Sequence, residues 1–260
     1  MAKSIKYSRH IKYTLKLLWI VILVAMSISS CKKKKDVTIE PPTLIKIKIN
    51  NVVNGSPLFL NTGIYINENG DTFSVTKYRY FISNISLATK TGMTHYEQDS
   101  YHLVDQSIDS SRSIVIEGLP EGDYTSISFL IGVDSVKNVS GAQEGDLNPG
   151  TGMFWDWNSG YVMAMFEGTS PSSPENTLLF HTGGFSGNNN TLRWVTLQLP
   201  DVATVIKNKQ PVIYLSSDVG EWFKTPNVID FSKLYINNGG KNAVLIADNY
   251  ADMFKVEHVD

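Results

Sequence analysis

The chain has 260 residues, 42% hydrophobic and 18% charged, with a formal net charge of −2, an ordinary globular composition. Its one cysteine is Cys31, which excludes disulfides, zinc–thiolate sites, iron–sulfur clusters and a cysteine nucleophile from everything downstream. No basic patch interleaved with aromatics occurs, which argues against nucleic acid as a partner.

Residues 1 to 30 are of another kind. Lys3, Lys6, Arg9, Lys12 and Lys16 form a basic start without an acid, and Leu17 to Met26 is an unbroken apolar run. That run has the length of a signal-peptide h-region and is too short to span a bilayer as a helix. Ile28-Ser29-Ser30-Cys31 resembles a bacterial lipobox. The resemblance implies a signal peptide over 1–30, cleaved before a cysteine that is diacylated and acylated again at its new amino terminus. The plainer alternative is an ordinary signal peptide with a stray cysteine. Two or more acyl chains would anchor the protein stably. Removing residues 1–30 takes away five basic residues and moves the net charge from −2 to −7. Residues 31–43 then read as the lipidated cysteine and a flexible tether: Lys32 to Lys35 lie against anionic headgroups, and Pro41-Pro42 closes the stretch. An acidic run after the cysteine would resemble the surface-export signal of Bacteroidetes lipoproteins. Here the run is basic with one Asp36. The expected place is the cell envelope, lipid-anchored at the outer membrane, with the periplasmic and surface faces both open.

From residue 44 the pattern is β. Leu44-Ile45-Lys46-Ile47-Lys48-Ile49-Asn50 alternates isoleucine with polar residues, the period of a half-buried strand. Asn54-Gly55-Ser56-Pro57 turns the chain, and Tyr65 to Phe73 reads as a hairpin centred on Asn69-Gly70. Phe73 to Leu87 is one strand, or two with a bend near Ser83-Asn84. Tyr101 to Asp105 is a short strand. Ser113 to Glu117 and Thr125 to Ile131 flank Gly118-Leu119-Pro120-Glu121-Gly122-Asp123-Tyr124 as a hairpin. Val133 to Gly152 is a long Gly/Asn/Pro/Asp segment without periodicity, of the length at which loops carry function or motion. Thr177 to His181, Leu192 to Leu199 and Pro211 to Leu215 are further strands, with a polar turn over Gly183 to Asn190. Asp218-Val219-Gly220-Glu221 has capping-box spacing for a short helix. Asn242 to Met253 favours a helix, and Phe254 to His258 ends the chain as a strand. Short strands, frequent turns and few helices predict one domain over 44–260: an all-β, single-domain antiparallel β-sandwich with long loops and one or two short helices.

Gly152 to Gly168 concentrates two of the five tryptophans and three of the seven methionines. With Asn158-Ser159-Gly160 as a three-residue loop and Gly160 at φ > 0, Met153, Trp155 and Trp157 would share a face with Met165, Met163 and Tyr161. Such a face suits a soft metal, Cu(I) above all. It is equally the composition of plain core. Asp156 and Glu167 are the acids of this stretch, and a carboxylate among tryptophans also fits a sugar platform.

No HExxH, GxSxG, Walker loop or dinucleotide GxGxxG occurs, so no enzyme class is indicated. His181 near Ser186 suggests a Ser/His pair, but a Gly/Ser/Asn turn explains the same letters. His95, His102, His181 and His258 do not pair at metal-ligand spacing. His181 is the best candidate of the four, because it ends an apolar strand beside a glycine-rich turn.

Several motifs in order carry a resemblance. Tyr78-Arg79-Tyr80-Phe81-Ile82-Ser83-Asn84-Ile85, Gly132-Val133-Asp134, Gly152 to Gly168, Phe180-His181-Thr182-Gly183-Gly184 and Asn249-Tyr250-Ala251-Asp252-Met253-Phe254 are similar to the MbnP-like copper-binding lipoproteins of the Bacteroidetes type. The similarity runs from about Leu44 to His258. It implies a secreted or outer-membrane β protein whose copper is held by histidines and a tryptophan oxidised to kynurenine, installed by a partner di-haem cytochrome of the peroxidase type. Trp155 or Trp157 matches the modified tryptophan, and His181 matches a histidine ligand. His102 or His258 would complete the site, or Met163 and Met165 would stand in. The expected function is therefore a lipid-anchored, non-catalytic copper-binding protein for storage, scavenging or delivery. The rival is a metal-free envelope module that presents its long loops to a protein or glycan.

Overall fold

The structure, a computed structural model, describes residues 42–156 and 159–260. The expected signal peptide, Cys31, most of the expected tether and Trp157 lie outside the described residues. In chain order the strands are β1 (Leu44–Val53), β2 (Ser56–Pro57), β3 (Tyr65–Ile66), β4 (Thr72–Thr89), β5 (Thr94–Tyr96), β6 (Tyr101–Asp105), β7 (Ser113–Glu117) and β8 (Gly122–Ile131). There follow β9 (Phe154–Asp156), β10 (Gly160–Thr169), β11 (Leu178–Gly183), β12 (Arg193–Val205), β13 (Val212–Asp218), β14 (Ile236–Asn237) and β15 (Phe254–Val259). The helices are α1 (Ser135–Asn138) and α2 (Gly240–Tyr250), with several short 3-10 turns.

Two sheets face each other. The first runs β15-β13-β1-β2, with β7 also on β1; the second runs β12-β8-β4-β10-β11-β14. The alternation that predicted β1 is what builds this arrangement: Ile45, Ile47 and Ile49 are buried while Lys48 and Asn50 are exposed. They meet Tyr78, Tyr80, Ile82, Phe129, Phe166 and Phe180 of the second sheet in one continuous core. The expected all-β sandwich is the observed fold. Two pairings differ in sense from the antiparallel expectation: β1 and β13 run parallel over seven residue pairs from Lys46–Val212 to Val52–Asp218, and the short β14 runs parallel to β11.

The expected hairpin over Ser113 to Ile131 is not formed. β7 pairs with β1 in the first sheet, whereas β8 pairs with β4 and β12 in the second. Gly118 to Glu121 therefore carries the chain from one layer to the other. Strand alternation and turn residues mark both strands and the turn there, but neither specifies a partner. The bend expected near Ser83-Asn84 is a bulge within the single strand β4: Asn84 takes φ 54 and the pairing with β8 slips between Ser83 and Ser86.

Alternation along β4 and β10 sends Phe81 and Met165 to the outer face of the second sheet, away from the sandwich interior. There the long segment after Val133 folds back and seals a second cluster of Phe81, Val133, Leu147, Met153, Tyr161, Val162, Met163 and Met165. Asp134 pins its start. Its carboxylate accepts from Tyr101 Oη (2.5 Å), Asn84 Nδ2 (2.9 Å) and the N–H groups of Val136 and Lys137 (2.9 and 3.1 Å). Burial pushes the Asp134 pKa up, but these hydrogen bonds outweigh it and leave the pKa lowered. A carboxylate held below its unfolded value stabilises the fold above that value, and the contribution is lost as pH falls through the folded pKa. Acidification below the usual carboxylate range, roughly pH 4, should therefore release the Val136 and Lys137 amides before the sheets melt. Asp134→Ala should loosen them at neutral pH by about 1 kcal/mol, the scale of a lost helix cap. Amide chemical shifts followed against pH would check both.

Candidate functional site

The site is built from three adjacent strands. In the β10/β11 hairpin Met165 lies directly opposite His181, and Glu167 opposite Leu179. Across the other edge of β10, Glu167 faces Lys77 of β4. Side chains directly opposite share a face, with Cβ atoms roughly 4.5–5.5 Å apart, so Met165 and His181 are neighbours on the outer face. His181 Nε2 lies 3.0 Å from Glu167 Oε1, and Lys77 Nζ lies 3.0 Å from Glu167 Oε2. Burial works to raise the pKa of Glu167, yet hydrogen bonds from Lys77 and His181 prevail and hold it lowered. The glutamate is thus a charged carboxylate at neutral pH.

Gly183 supplies the next feature. It follows His181 by two residues on the same strand and so faces the same side. A Cβ on Gly183 would fall 2.4 Å from Cζ3 and 2.7 Å from Cη2 of Trp155. The outer edge of the indole is therefore seated on the backbone of β11 where a side chain would otherwise be. Gly239, at the turn into α2, flanks the same edge at 3.9 Å from its Cβ position. Trp155 remains 36% exposed. An imidazole, a thioether and a partly exposed indole thus share one patch of the outer face.

A family model for MbnP matches residues 42–242. The chain belongs to the MbnP family. MbnP from Methylosinus trichosporium shares the fold, with a TM-score of 0.51 at 14% identity over 77% of this chain and 82% of that chain. No curated protein sequence matches.

In this MbnP-family chain the other candidates lie apart from that patch. Met163 is fully buried, and its sulfur accepts the Val133 N–H at 3.2 Å. His102, on β6, pairs opposite Ile82 and binds both oxygens of Glu97, at 3.1 and 2.9 Å. β4 and β10 separate it from β11, and alternation turns it to the opposite face from Phe81 and Met165. His258 is in the first sheet, stacked on Tyr214 with centroids 4.2 Å apart. Among the described residues no group of three His, Cys, Asp or Glu side chains is arranged to hold a metal ion.

The Trp/Met face drawn from the sequence is not formed in the register expected. β9 and β10 pair as Gly160–Asp156 and Tyr161–Phe154 with a slip between, and β10 slips again against β11 between Val162 and Ala164. These irregularities let Tyr161, Val162 and Met163 all be buried in succession, while Trp155 is left at the surface over Gly183. Gly160 does take positive φ, at 76°. The Glu167–His181–Lys77 row went unseen in the sequence. In the sequence Glu167 stands out only as an acid of the central stretch, and it is the β10/β11 hairpin register, continued across the loop, that places it diagonally beside His181.

Proposed function

We propose that this MbnP-family protein is an extracytoplasmic, non-catalytic copper-binding protein that stores, scavenges or delivers the metal, with His181, Met165 and Trp155 as its donors. The observation that supports this is the shared outer-face patch, where His181 and Met165 oppose each other across β10/β11 and Trp155 seats on Gly183. Imidazole, thioether and a π-face are soft or borderline donors, and that chemistry fits Cu(I) better than a cation that needs several carboxylates. Family resemblance adds kynurenine formation by a di-haem cytochrome partner. Trp155, partly exposed, is the residue this reading assigns to it. No helix among the described residues is long and apolar enough to cross a membrane, and attachment at the outer membrane is assigned to a lipid on Cys31.

The test is elemental analysis of protein produced in an export-competent, copper-supplied host, together with intact and peptide mass measurement of Trp155. Wild-type protein should carry copper. His181→Ala should lose it while keeping the β-sheet circular dichroism of the parent. Copper-free wild-type protein would favour the second reading, a metal-free module displaying the segment after Val133 to a protein or glycan. The commitment of the Met163 sulfur to Val133 and the lack of a three-ligand group among the described residues speak for that reading.

A further inference from the structure

We infer that Glu167, braced by Lys77, is a positioning residue that locks His181 as its Nε2–H tautomer and so leaves Nδ1 as the ring nitrogen that meets a soft metal. The tautomer follows from the contact of a neutral imidazole with an ionised Glu167 already held by Lys77; the metal's identity rests on the copper reading above.

Lys77, Glu167 and His181 form one row across β4, β10 and β11. An ionised carboxylate only accepts, and a lysine ammonium only donates. Lys77 Nζ occupies Oε2 at 3.0 Å, and Oε1 faces His181 Nε2 at 3.0 Å. Nε2 must therefore carry the proton of that contact. A neutral imidazole has one N–H and one lone pair, so the lone pair is on Nδ1. Carboxylates that accept from the far nitrogen of a metal-binding histidine fix its ring and raise its donor strength, and losing them costs roughly ten- to hundred-fold in metal affinity. Because all three side chains stand on paired strands, the row is held more firmly than a loop would hold it.

Long-range 1H–15N correlation spectra of the metal-free full-length protein report each ring nitrogen separately. The expected result is a proton-bearing Nε2 and a bare Nδ1 for His181, with mixed tautomers in Glu167→Ala. A proton-bearing Nδ1 in the wild type, or an unchanged His181 pattern in Glu167→Ala, would overturn the inference. Adding Ag(I), a redox-silent stand-in for Cu(I), should move the Nδ1 resonance and leave Nε2 protonated, with affinity falling roughly ten- to hundred-fold in Glu167→Ala. Metal-induced movement of Nε2 would overturn the inference while upholding a metal at His181. Movement of neither nitrogen would overturn the metal assignment, and the metal-free spectra would still decide the tautomer.

Discussion

Trp222→Ala is expected to lower the unfolding free energy by about 3–5 kcal/mol, against a total of roughly 5–15 kcal/mol for a folded domain. Trp222 is fully buried where the sandwich interior meets α2. Its ring packs on Tyr250, Tyr78 and Phe166 at centroid separations of 5.3, 5.7 and 6.2 Å. Its indole N–H donates to the Met253 sulfur at 3.3 Å, which also accepts from Tyr78 Oη at 3.5 Å. Truncation would leave a large void lined by rigid rings and strip one donor from a buried sulfur. Trp155→Ala should cost less than about half as much, because its ring is partly solvated and its outer edge rests on glycines. Urea denaturation of the two variants side by side would check the contrast; equal losses would contradict a surface position for Trp155.

Gly183→Val should displace the Trp155 indole without unfolding the domain. The new Cβ would overlap Cζ3 at 2.4 Å, and the part that must yield is the tip of a partly exposed side chain. The Tyr161 carbonyl oxygen, 3.0 Å from the same point, adds a smaller backbone strain. Expected results are a red-shifted tryptophan emission and, on the proposed copper reading, a copper affinity lowered by roughly tenfold or more, the scale on which supporting residues act at metal sites. Emission and affinity both matching wild type would show that the indole is not seated there.

Much of the fold was legible because it is written in local patterns. Isoleucine and lysine alternate along β1, Asn84 marks the bend in β4, and Asn242 to Met253 overlaps α2 closely. What failed was partner choice. β7 and β8 look like a hairpin since each alternates and a Gly/Pro/Asp turn joins them, yet their apolar faces are satisfied in different sheets. The register of Trp155 failed for another reason. The slips around Tyr161 and Met163 are imposed from outside the hairpin: Asn138 accepts the Tyr161 N–H at 2.9 Å, and Gly132 lets Met163 approach so closely that a Cβ there would lie 3.1 Å from its sulfur. Of the candidate site, His181 could be picked out by its strand-end position beside two glycines. The purpose of Gly183 could not, since the sequence does not say that an indole rests on it.

The parallel union of β1 with β13 has a consequence for how the protein comes into being. These two strands are separated by more than half of the chain, so loop-closure entropy defers their pairing until late in synthesis or transit. Until Val212 to Asp218 arrive, one flank of β1 offers unpaired amides and carbonyls beside a row of isoleucines, the kind of exposed border that seeds association between chains. A nascent or truncated form ending before residue 212 would be expected to recruit chaperones or aggregate. The last fifth of the polypeptide is what makes the first strand safe.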